Sequence, residues 1–271
     1  RVTRATRWTT ETAWCAVGDL APGDGVMLND HRAADAWAGA GTMGEGYLLG
    51  LLVGDGTLKA DKAVLSAWMP AQAANAPAEA TSGVRGVMAA AVAAALELPH
   101  RADFGGWQAV AGRNEFRLSL AALRTLALDF GMAPGARRIT PALERSSRDC
   151  QRGFLRGFFD SDGSVQGSQR HGISIRLSQS DLPSLEAAQR MLLRFGIAAR
   201  IYRDRRTAGT SRLPDGRGGR ADYATRAQHE LVIAGEGVAR FADRIGFADG
   251  DKSVRLSAVL ARYQRRLEGQ R

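Results

Sequence analysis

The stretch LRGFFDSDG at residues 155–163 decides the fold, because a stretch of the same shape, LLGLLVGDG, occupies residues 48–56. Each is an apolar run that ends in Asp-Gly and contains two small residues four positions apart, which are Gly50 and Gly54 in one and Gly157 and Ser161 in the other. Residues with this spacing lie on one face of an α-helix, and small side chains there let two helix backbones approach closely. The two stretches therefore predict a pair of helices packed side by side.

The two predicted helices would bring a pair of acidic residues together. Asp55 and Asp162 each lie in the last helical turn, just before a glycine able to adopt a left-handed cap. Each carboxylate would lie at the negative end of a helix dipole, at a cost of about 0.3–1 kcal/mol, and would repel the other. A shared proton could offset this, and so could a hard divalent cation such as Mg²⁺. Because a cation there could polarise a phosphodiester and activate water, the pair indicates metal-dependent phosphodiester hydrolysis.

The segments around both stretches follow the same order of predicted elements. The first copy reads as helix, strand, strand, helix, strand, strand and helix at residues 44–54, 56–60, 62–68, 83–97, 103–110, 114–119 and 120–131. The second repeats this order at residues 149–161, 163–168, 172–178, 181–195, 198–203, 228–234 and 236–245, and a last helix follows at 253–268. The repeat predicts an α+β protein of two pseudo-symmetric αββαββα halves, with the two Asp-Gly helices at their interface.

The predicted strands alternate between apolar and polar residues. In ISIRLS, residues 173–178, the aliphatic side chains point one way, while Ser174, Arg176 and Ser178 point the other. The strand around Arg117 alternates in the same way. Such sheets pack one face against helices and expose the other. One sheet per half, each exposing a polar and basic face, predicts a saddle for a ligand; the alternative is that these arginines are simply solvated.

Charge favours a polyanionic partner. The 271 residues include 37 Lys and Arg against 28 Asp and Glu, and the net charge of +9 comes entirely from the chain after residue 150. Nucleic acid is the commonest partner of so basic a surface, although an arginine-rich proteome would also produce one. The segment RDRRTAGTSRLPDGRGGRADYATR at 203–226 reads as a long flexible hairpin connection whose arginines suit phosphate contacts. The alternative is an insertion without a role.

The remaining sequence indicates where the protein works. No uncharged apolar run could span a bilayer and the N-terminus has no signal-peptide core, so we expect a soluble cytoplasmic protein without membrane contact. Cys15 and Cys150 lack metal-ligand spacing and are expected to be reduced thiols. Residues 1–30 have the Gly-Asp and Pro-Gly-Asp turns of a small β module, and the Ala- and Gly-rich residues 31–43 are predicted to form a linker.

Both helical stretches resemble the LAGLIDADG motif, or dodecapeptide, of homing endonucleases, and the intein-borne branch is the most similar. GYLLGLLVGDGTL at residues 46–58 and GFLRGFFDSDGSV at 153–165 resemble that branch along their whole length. The preceding RRITPALERSSRDCQ is similar to the usual approach to the second motif, and LLRFGIAARI and FADRIGF resemble later family positions. The resemblance covers about residues 44–255. Residues 1–30 resemble part of a self-splicing module, but the chain begins with Arg1 and ends with Gln270-Arg271, so we do not expect it to splice and interpret it as an excerpt or a decayed remnant.

The resemblance implies double-strand cleavage of a long, asymmetric DNA site with Mg²⁺ or Mn²⁺. Asp55 and Asp162 would be the catalytic metal ligands, assisted by the backbone carbonyls of Gly54 and Ser161. A family lysine near the active site has no clear counterpart, because the chain has only three lysines and the approach to the second motif carries two arginines instead; these residues are Lys59, Lys62, Lys252, Arg137 and Arg138. Val53 replaces the first motif acid, at a position that is usually structural in the family.

We therefore expect a monomer that binds double-stranded DNA through its two sheets and the arginine-rich segment. The candidate DNA-binding residues are Lys59, Lys62, Arg117, Arg170, Ser174, Arg176, Ser178, Gln179, Arg200, Arg203, Arg205 and Arg206. The endonuclease halves would span residues 44–148 and 149–250, followed by a C-terminal helix at 251–271. The alternatives are a cleavage-deficient DNA-binding regulator or RNA maturase with the same fold, and a purely structural or protein-binding domain.

Overall fold

The computed structural model describes residues 2–5, 12–21, 24–26, 37–69, 82–168, 172–214 and 219–268. They fall into two compact units, Arg1–Asp35 and Ala36–Arg271. The first unit holds a three-stranded antiparallel sheet of order β2-β1-β3, formed by β1 (Val2–Ala5), β2 (Thr12–Cys15) and β3 (Gly25–Val26). These strands agree with the predicted small β module, whereas residues 31–36 of the predicted linker lie outside the described residues.

The second unit contains the predicted repeat. Its first half consists of α1 (Met43–Asp55), β4 (Gly56–Leu58), β5 (Ala63–Trp68), α2 (Ser82–Leu96), β6 (Gln108–Ala109), β7 (Glu115–Ser119) and α3 (Ala121–Asp129). A short helix, α4 (Pro141–Glu144), leads into the second half. That half consists of α5 (Arg148–Asp162), β8 (Gly163–Ser168), β9 (Gly172–Gln179), α6 (Leu182–Arg194), β10 (Ala199–Arg206), β11 (Gly209–Pro214), β12 (Arg220–Thr225), β13 (Gln228–Ala234) and α7 (Glu236–Arg244), and α8 (Gly250–Glu268) follows. The α+β class and the order αββαββα in each half are confirmed.

Each half builds a four-stranded antiparallel sheet with one buried face. The strand orders are β4-β5-β7-β6 and β10-β13-β9-β8. In the second sheet Ile175 and Leu177 of β9 pair with Ile233 and Leu231 of β13, and all four side chains are fully buried. The alternate residues, among them Arg176, form the opposite face and keep part of their surface exposed. The alternation predicted from the sequence therefore sets which face of each sheet is polar.

Helices α1 and α5 run parallel, with their backbones in direct contact. A Cβ atom on Gly50 would lie 2.8 Å from the amide nitrogen of Phe158, and one on Gly157 would lie 3.3 Å from Cα of Gly50. Further along, a Cβ on Gly54 would collide with the side chain of Ser161. The predicted close approach of two helices through small residues is confirmed, and it leaves both helices ending at the same level.

The glycines after the two helices do not adopt the left-handed cap that we expected. Gly56 has φ −96° and Gly163 has φ −83°, so both are extended and each chain passes directly from helix into strand. Glycine is required there for space, because a Cβ on Gly56 would lie 2.6 Å from Cα of Leu52. A Cβ on Gly163 would meet the backbone of Phe159 in the same way. The Asp-Gly pair is therefore a tight helix-to-strand junction.

Four further details differ from or add to the sequence-based expectations. The strand predicted at 103–110 is confined to β6, and the arginine-rich segment contains two ordered strands, β11 and β12. Cys150 is fully buried, which raises the pKa of its thiol to about 11, and Cys15 and Cys150 are both free. None of the helices within the described ranges is long and apolar enough to cross a membrane.

The contact between α1 and α5 predicts that Gly157→Ala is strongly destabilising. Its new Cβ would lie less than 3.0 Å from the carbonyl oxygen of Tyr47. We expect a loss of about 3 kcal/mol in the free energy of unfolding, measured by urea denaturation followed by circular dichroism. Gly105→Ala is the control, because nothing lies within 4 Å of its Cβ position. Equal stability of the two variants would contradict direct backbone contact.

Candidate functional site

The parallel packing of α1 and α5 brings the two predicted acids to one place. Asp55 is the last residue of α1 and Asp162 is the last residue of α5. The Oδ2 atom of Asp162 lies 3.1 Å from the position that a Cβ on Gly54 would occupy, beside Asp55. Gln179 of β9 donates a 2.6 Å hydrogen bond to the same Oδ2 atom. The structure thus places the two carboxylates together, as the paired motifs predict.

This arrangement is electrostatically costly. Burial raises the pKa of Asp162 to about 7, and the neighbouring charge of Asp55 adds to the increase. Burial also raises the pKa of Asp55 above its usual value. Both acids lie at the negative ends of parallel helix dipoles, which adds to the cost of ionisation. The pair therefore favours a proton or a cation between the carboxylates.

Arg137 covers the end of α1. Its Nη1 atom donates hydrogen bonds to the backbone carbonyls of Leu52, Val53 and Gly54. The Leu52 carbonyl also accepts the amide of Gly56, and the guanidinium adds a donor to the carbonyls of the last turn and offsets the helix dipole. The same positive charge acts to lower the pKa of both Asp55 and Asp162.

Lys252 covers the end of α5 in the same manner. It lies in the first turn of α8, and its Nζ atom donates hydrogen bonds to the carbonyls of Phe159, at 3.1 Å, and Asp160. Burial lowers the pKa of Lys252, whereas the surrounding acids raise it. Sequence reasoning found no counterpart for the family lysine. The repeat could have pointed to it, because Arg137 follows α3 and Lys252 follows α7, the last helix of each half.

Asp160 holds the helix that carries Lys252. Its buried carboxylate accepts a 2.9 Å hydrogen bond from the hydroxyl of Tyr47 in α1 and 3.1 Å hydrogen bonds from the amides of Ala248 and Asp249. These amides precede α8, so Asp160 fixes the N-terminal end of that helix. With these three donors around its carboxylate, Asp160 plays a structural part, which agrees with the choice of Asp162 as the metal ligand of this motif.

The donor atoms at this site fit a hard divalent cation. Mg²⁺ prefers oxygen ligands and is commonly bound by one or two carboxylates together with water and phosphate oxygens. Asp55 and Asp162 supply two carboxylates, and the Gly54 carbonyl keeps one lone pair after its bond to Arg137. No group of three or more His, Cys, Asp or Glu side chains that could hold a metal occurs in the described part of the chain. The remaining ligands would therefore have to be backbone carbonyls, water and substrate.

Several predicted DNA-binding residues line a groove on the polar face of the first sheet. Lys59, Lys62 and Arg117 share this groove, which has a volume of about 870 Å³, with His100 and Arg101 of the loop before β6. Arg117 Nε donates a 2.7 Å hydrogen bond to Glu115, which is itself buried and also pairs with an arginine at 113. The Glu115 carboxylate therefore fixes the direction in which the Arg117 guanidinium points.

The polar face of the second sheet carries the next group. This face carries Ser174, Arg176 and Ser178 of β9. Arg200 of β10 lies on the same face, because Arg200 and Arg176 each pair with Val232 of the intervening strand β13. Arg176 donates to the Ser174 hydroxyl at 3.1 Å, and it pairs with Glu230, which Arg205 also approaches. Arg205 and Arg206, towards the end of β10, are both solvent-exposed.

Three predicted DNA-binding residues do not join these faces. Gln179 is bonded to Asp162, which makes it part of the acidic site. Arg203 pairs with Glu186 of α6 at 3.0 Å, and α6 packs against this sheet on its buried side. Arg170 lies outside the described residues.

Comparison with known proteins supports this fold. Residues 149–246 match the family model described as a LAGLIDADG-like domain. Together with the two matching halves, this confirms the LAGLIDADG fold that the motifs predict. The ribonucleoside-diphosphate reductase NrdEB subunit alpha of Bacillus subtilis (strain 168) and its counterpart in Bacillus phage SPbeta are each 28% identical to this chain over 106 residues. That match covers 38% of this chain but only 10% of the length of either relative.

Solved structures with a similar fold include the homing endonuclease I-DmoI and the protein DUF199/WhiA. I-DmoI in complex with DNA and Ca is 16% identical, with 80% of this chain and 97% of that chain covered and a TM-score of 0.46. I-DmoI in complex with DNA and Mn is 15% identical over 75% of this chain and 96% of that one, with a TM-score of 0.41. Full-length DUF199/WhiA from Thermatoga maritima is 16% identical over 83% of this chain and 62% of that one, with a TM-score of 0.46.

The raised pKa of Asp162 predicts a pH-dependent stability. An acid with a raised pKa stabilises the fold fully below its unfolded value of about 3.9, and that stability is lost as the pH rises towards the folded value of about 7. Asp162→Asn removes the charge. In metal-free buffer it should raise the free energy of unfolding at pH 8 on the order of 1 kcal/mol, with little effect near pH 4. Asp61→Asn, at an exposed acid, is the control; an equal effect of both changes would refute this interpretation.

Proposed function

We propose that this chain, whose residues 149–246 form a LAGLIDADG-like domain, is a site-specific double-stranded DNA endonuclease that uses Mg²⁺ or Mn²⁺. The observation that carries the proposal is the meeting of Asp55 and Asp162 at the joined ends of two parallel helices, between Arg137 and Lys252. A purely structural domain has no need of two adjacent acids whose ionisation is disfavoured.

Each residue of the site has a distinct role in phosphodiester hydrolysis. Asp55 and Asp162 bind the cation, with the carbonyls of Gly54 and Ser161 available as further ligands. A bound Mg²⁺ supplies polarisation of the phosphodiester and activation of water. Lys252 uses two of its three N–H groups on α5 carbonyls and keeps one for a phosphate oxygen or a water molecule. Its charge then stabilises the negative charge that develops during hydrolysis.

DNA recognition is assigned to the polar faces of the two sheets. The first offers Lys59, Lys62 and Arg117, and the second offers Arg176 and Arg200, with the remaining candidates around them. Arginines held by acids, as Arg117 is by Glu115, can present a fixed pair of donors to a guanine edge in the major groove. The two faces differ in sequence, which suits an asymmetric target, and with both acids in one chain a monomer is sufficient.

We also propose that the chain derives from an intein and acts in the cytoplasm. The domain boundaries implied are a splicing-type remnant at 1–30, a linker at 31–43, endonuclease halves at 44–148 and 149–250, and a C-terminal helix at 251–271. A match of 106 residues inside a much longer reductase subunit agrees with an endonuclease segment embedded in a host protein.

The test is cleavage of sites selected from a randomised DNA library in the presence of Mg²⁺. Asp55→Asn and Asp162→Asn should each lower the cleavage rate by more than about 100-fold. Removing a residue that only hydrogen-bonds a metal ligand already lowers activity by up to about 100-fold, and these substitutions remove the ligand itself. DNA binding measured in Ca²⁺ should stay within a few-fold of the wild type. Asp61→Asn is the control and should cleave normally.

The possible results separate the three functions. Equal cleavage by the wild type and both site variants would disprove the assignment of Asp55 and Asp162. Tight binding without cleavage in any divalent metal would identify a DNA-binding regulator or an RNA maturase that has lost cleavage. Absence of any salt-dependent affinity for DNA would leave only a structural or protein-binding domain.

A further inference from the structure

The second half carries a two-stranded ribbon that has no equivalent among the described residues of the first half. Strands β10 and β13 continue past the four-stranded sheet as β11 and β12, which pair with each other from Gly209↔Thr225 to Pro214↔Arg220. In the first half, β6 has only two residues and a short turn joins it to β7. The main contacts of β11 and β12 are with each other, and an isolated two-stranded hairpin is only marginally stable in water. A binding partner that packs against the ribbon would therefore stabilise it.

A bulge in β10 redirects the chain where the ribbon begins. The pairing of β10 with β13 shifts between Tyr202 and Arg206. Asp204 lies within the shift and has φ +51°, the one positive value at a non-glycine residue in the described ranges. Its amide donates a 3.0 Å hydrogen bond to Nδ1 of His229 on β13, which holds the bulge in place. Bulges bend a strand and change the direction of the chain beyond them, so the ribbon leaves the sheet in a fixed direction.

The exposed surface of the ribbon is basic. Arg212 lies opposite Asp222 and Arg220 lies opposite Pro214, and these two pairs share one face of the ribbon because they are two positions apart. Arg206 and Arg226, at the base of the ribbon, are also exposed. Four arginines against one described acid make this surface suited to a polyanion.

The dimensions of the ribbon match a groove of duplex DNA. Each strand has six residues, so the ribbon is about 20 Å long at roughly 3.3 Å per residue. That length corresponds to about six base pairs at 3.4 Å each, and a major groove about 12 Å wide admits a two-stranded ribbon.

We infer that the β11–β12 ribbon binds the major groove of the DNA flanking the region covered by the second sheet. The inference rests on the proposed function. It extends that function by making the contacted DNA asymmetric: the footprint should reach about six base pairs further on the side of the second half, with no equivalent extension on the side of the first.

The test is hydroxyl-radical footprinting on a selected target, together with affinity measured against salt concentration. In one variant, residues 207–227 are replaced by Asn-Gly, a turn that joins Arg206 to Gln228, which already pair. A second variant, Arg212→Ala/Arg220→Ala, keeps the ribbon. The matched control is Arg190→Ala/Arg255→Ala, which removes the same charge from exposed positions on α6 and α8.

The shortened variant should lose protection only at the outer six or so base pairs on one side and should still cleave at the same position. The double arginine variant should lower the slope of log affinity against log salt by about two, whereas the control should leave it nearly unchanged. An unchanged footprint in the shortened variant would overturn the inference while leaving the proposed function intact. A wild-type protein that bound no DNA would overturn both.

Discussion

The direct backbone contact between α1 and α5 is the constraint on which the rest of the structure depends. Glycines such as Gly50 and Gly157 leave no space for a side chain between the helices, so the helices cannot slide or separate without losing the contact along their whole length. Because they run parallel, the contact joins their C-terminal ends and brings Asp55 and Asp162 together. The same feature that closes the core between the two halves therefore creates the acidic site.

The contact also concentrates negative charge at the two helix ends, and one cation offsets this charge at each end. Two helix C-termini and two carboxylates concentrate negative charge, and burial makes that charge more costly. Arg137 and Lys252 reach the carbonyls at the ends of α1 and α5, each from the chain that follows the last helix of one half. The two cations thus follow the internal repeat, because each lies just after the last helix of its half. It stabilises the metal-free protein without removing the preference of the two acids for a cation.

Much of the fold and the two acids could be predicted from the sequence, because they depend on local patterns. The period of the apolar residues, the small residues four apart and the repeated order of elements are all readable along the chain. Lys252 was missed as a site residue, because its position depends on the contact of Asp160 with the start of α8, across 88 residues of sequence, and only its place after the last helix of the repeat indicates it. Gln179 was predicted to contact DNA, whereas the structure places its side chain against Asp162, because β9 pairs with β8, the strand that directly follows α5. The Asp-Gly junctions were predicted correctly in place but for the wrong reason: space decides them and φ does not.

The difference between the two motifs has a physical explanation in the way each cation is held. In the second motif, Asp160 accepts two backbone amides at the start of α8, and these donors would be unsatisfied without it. Arg137 belongs to the chain between α3 and α4, not to the first turn of a helix, and it precedes the short helix α4 by several residues. The first motif therefore has no helix start to hold, and the equivalent position is occupied by the buried Val53. A carboxylate buried there without amide donors would be destabilising. Valine at position 53 is thus consistent with the proposed site, because Asp160 serves to place Lys252 and an acid would have no such task on the side of Arg137.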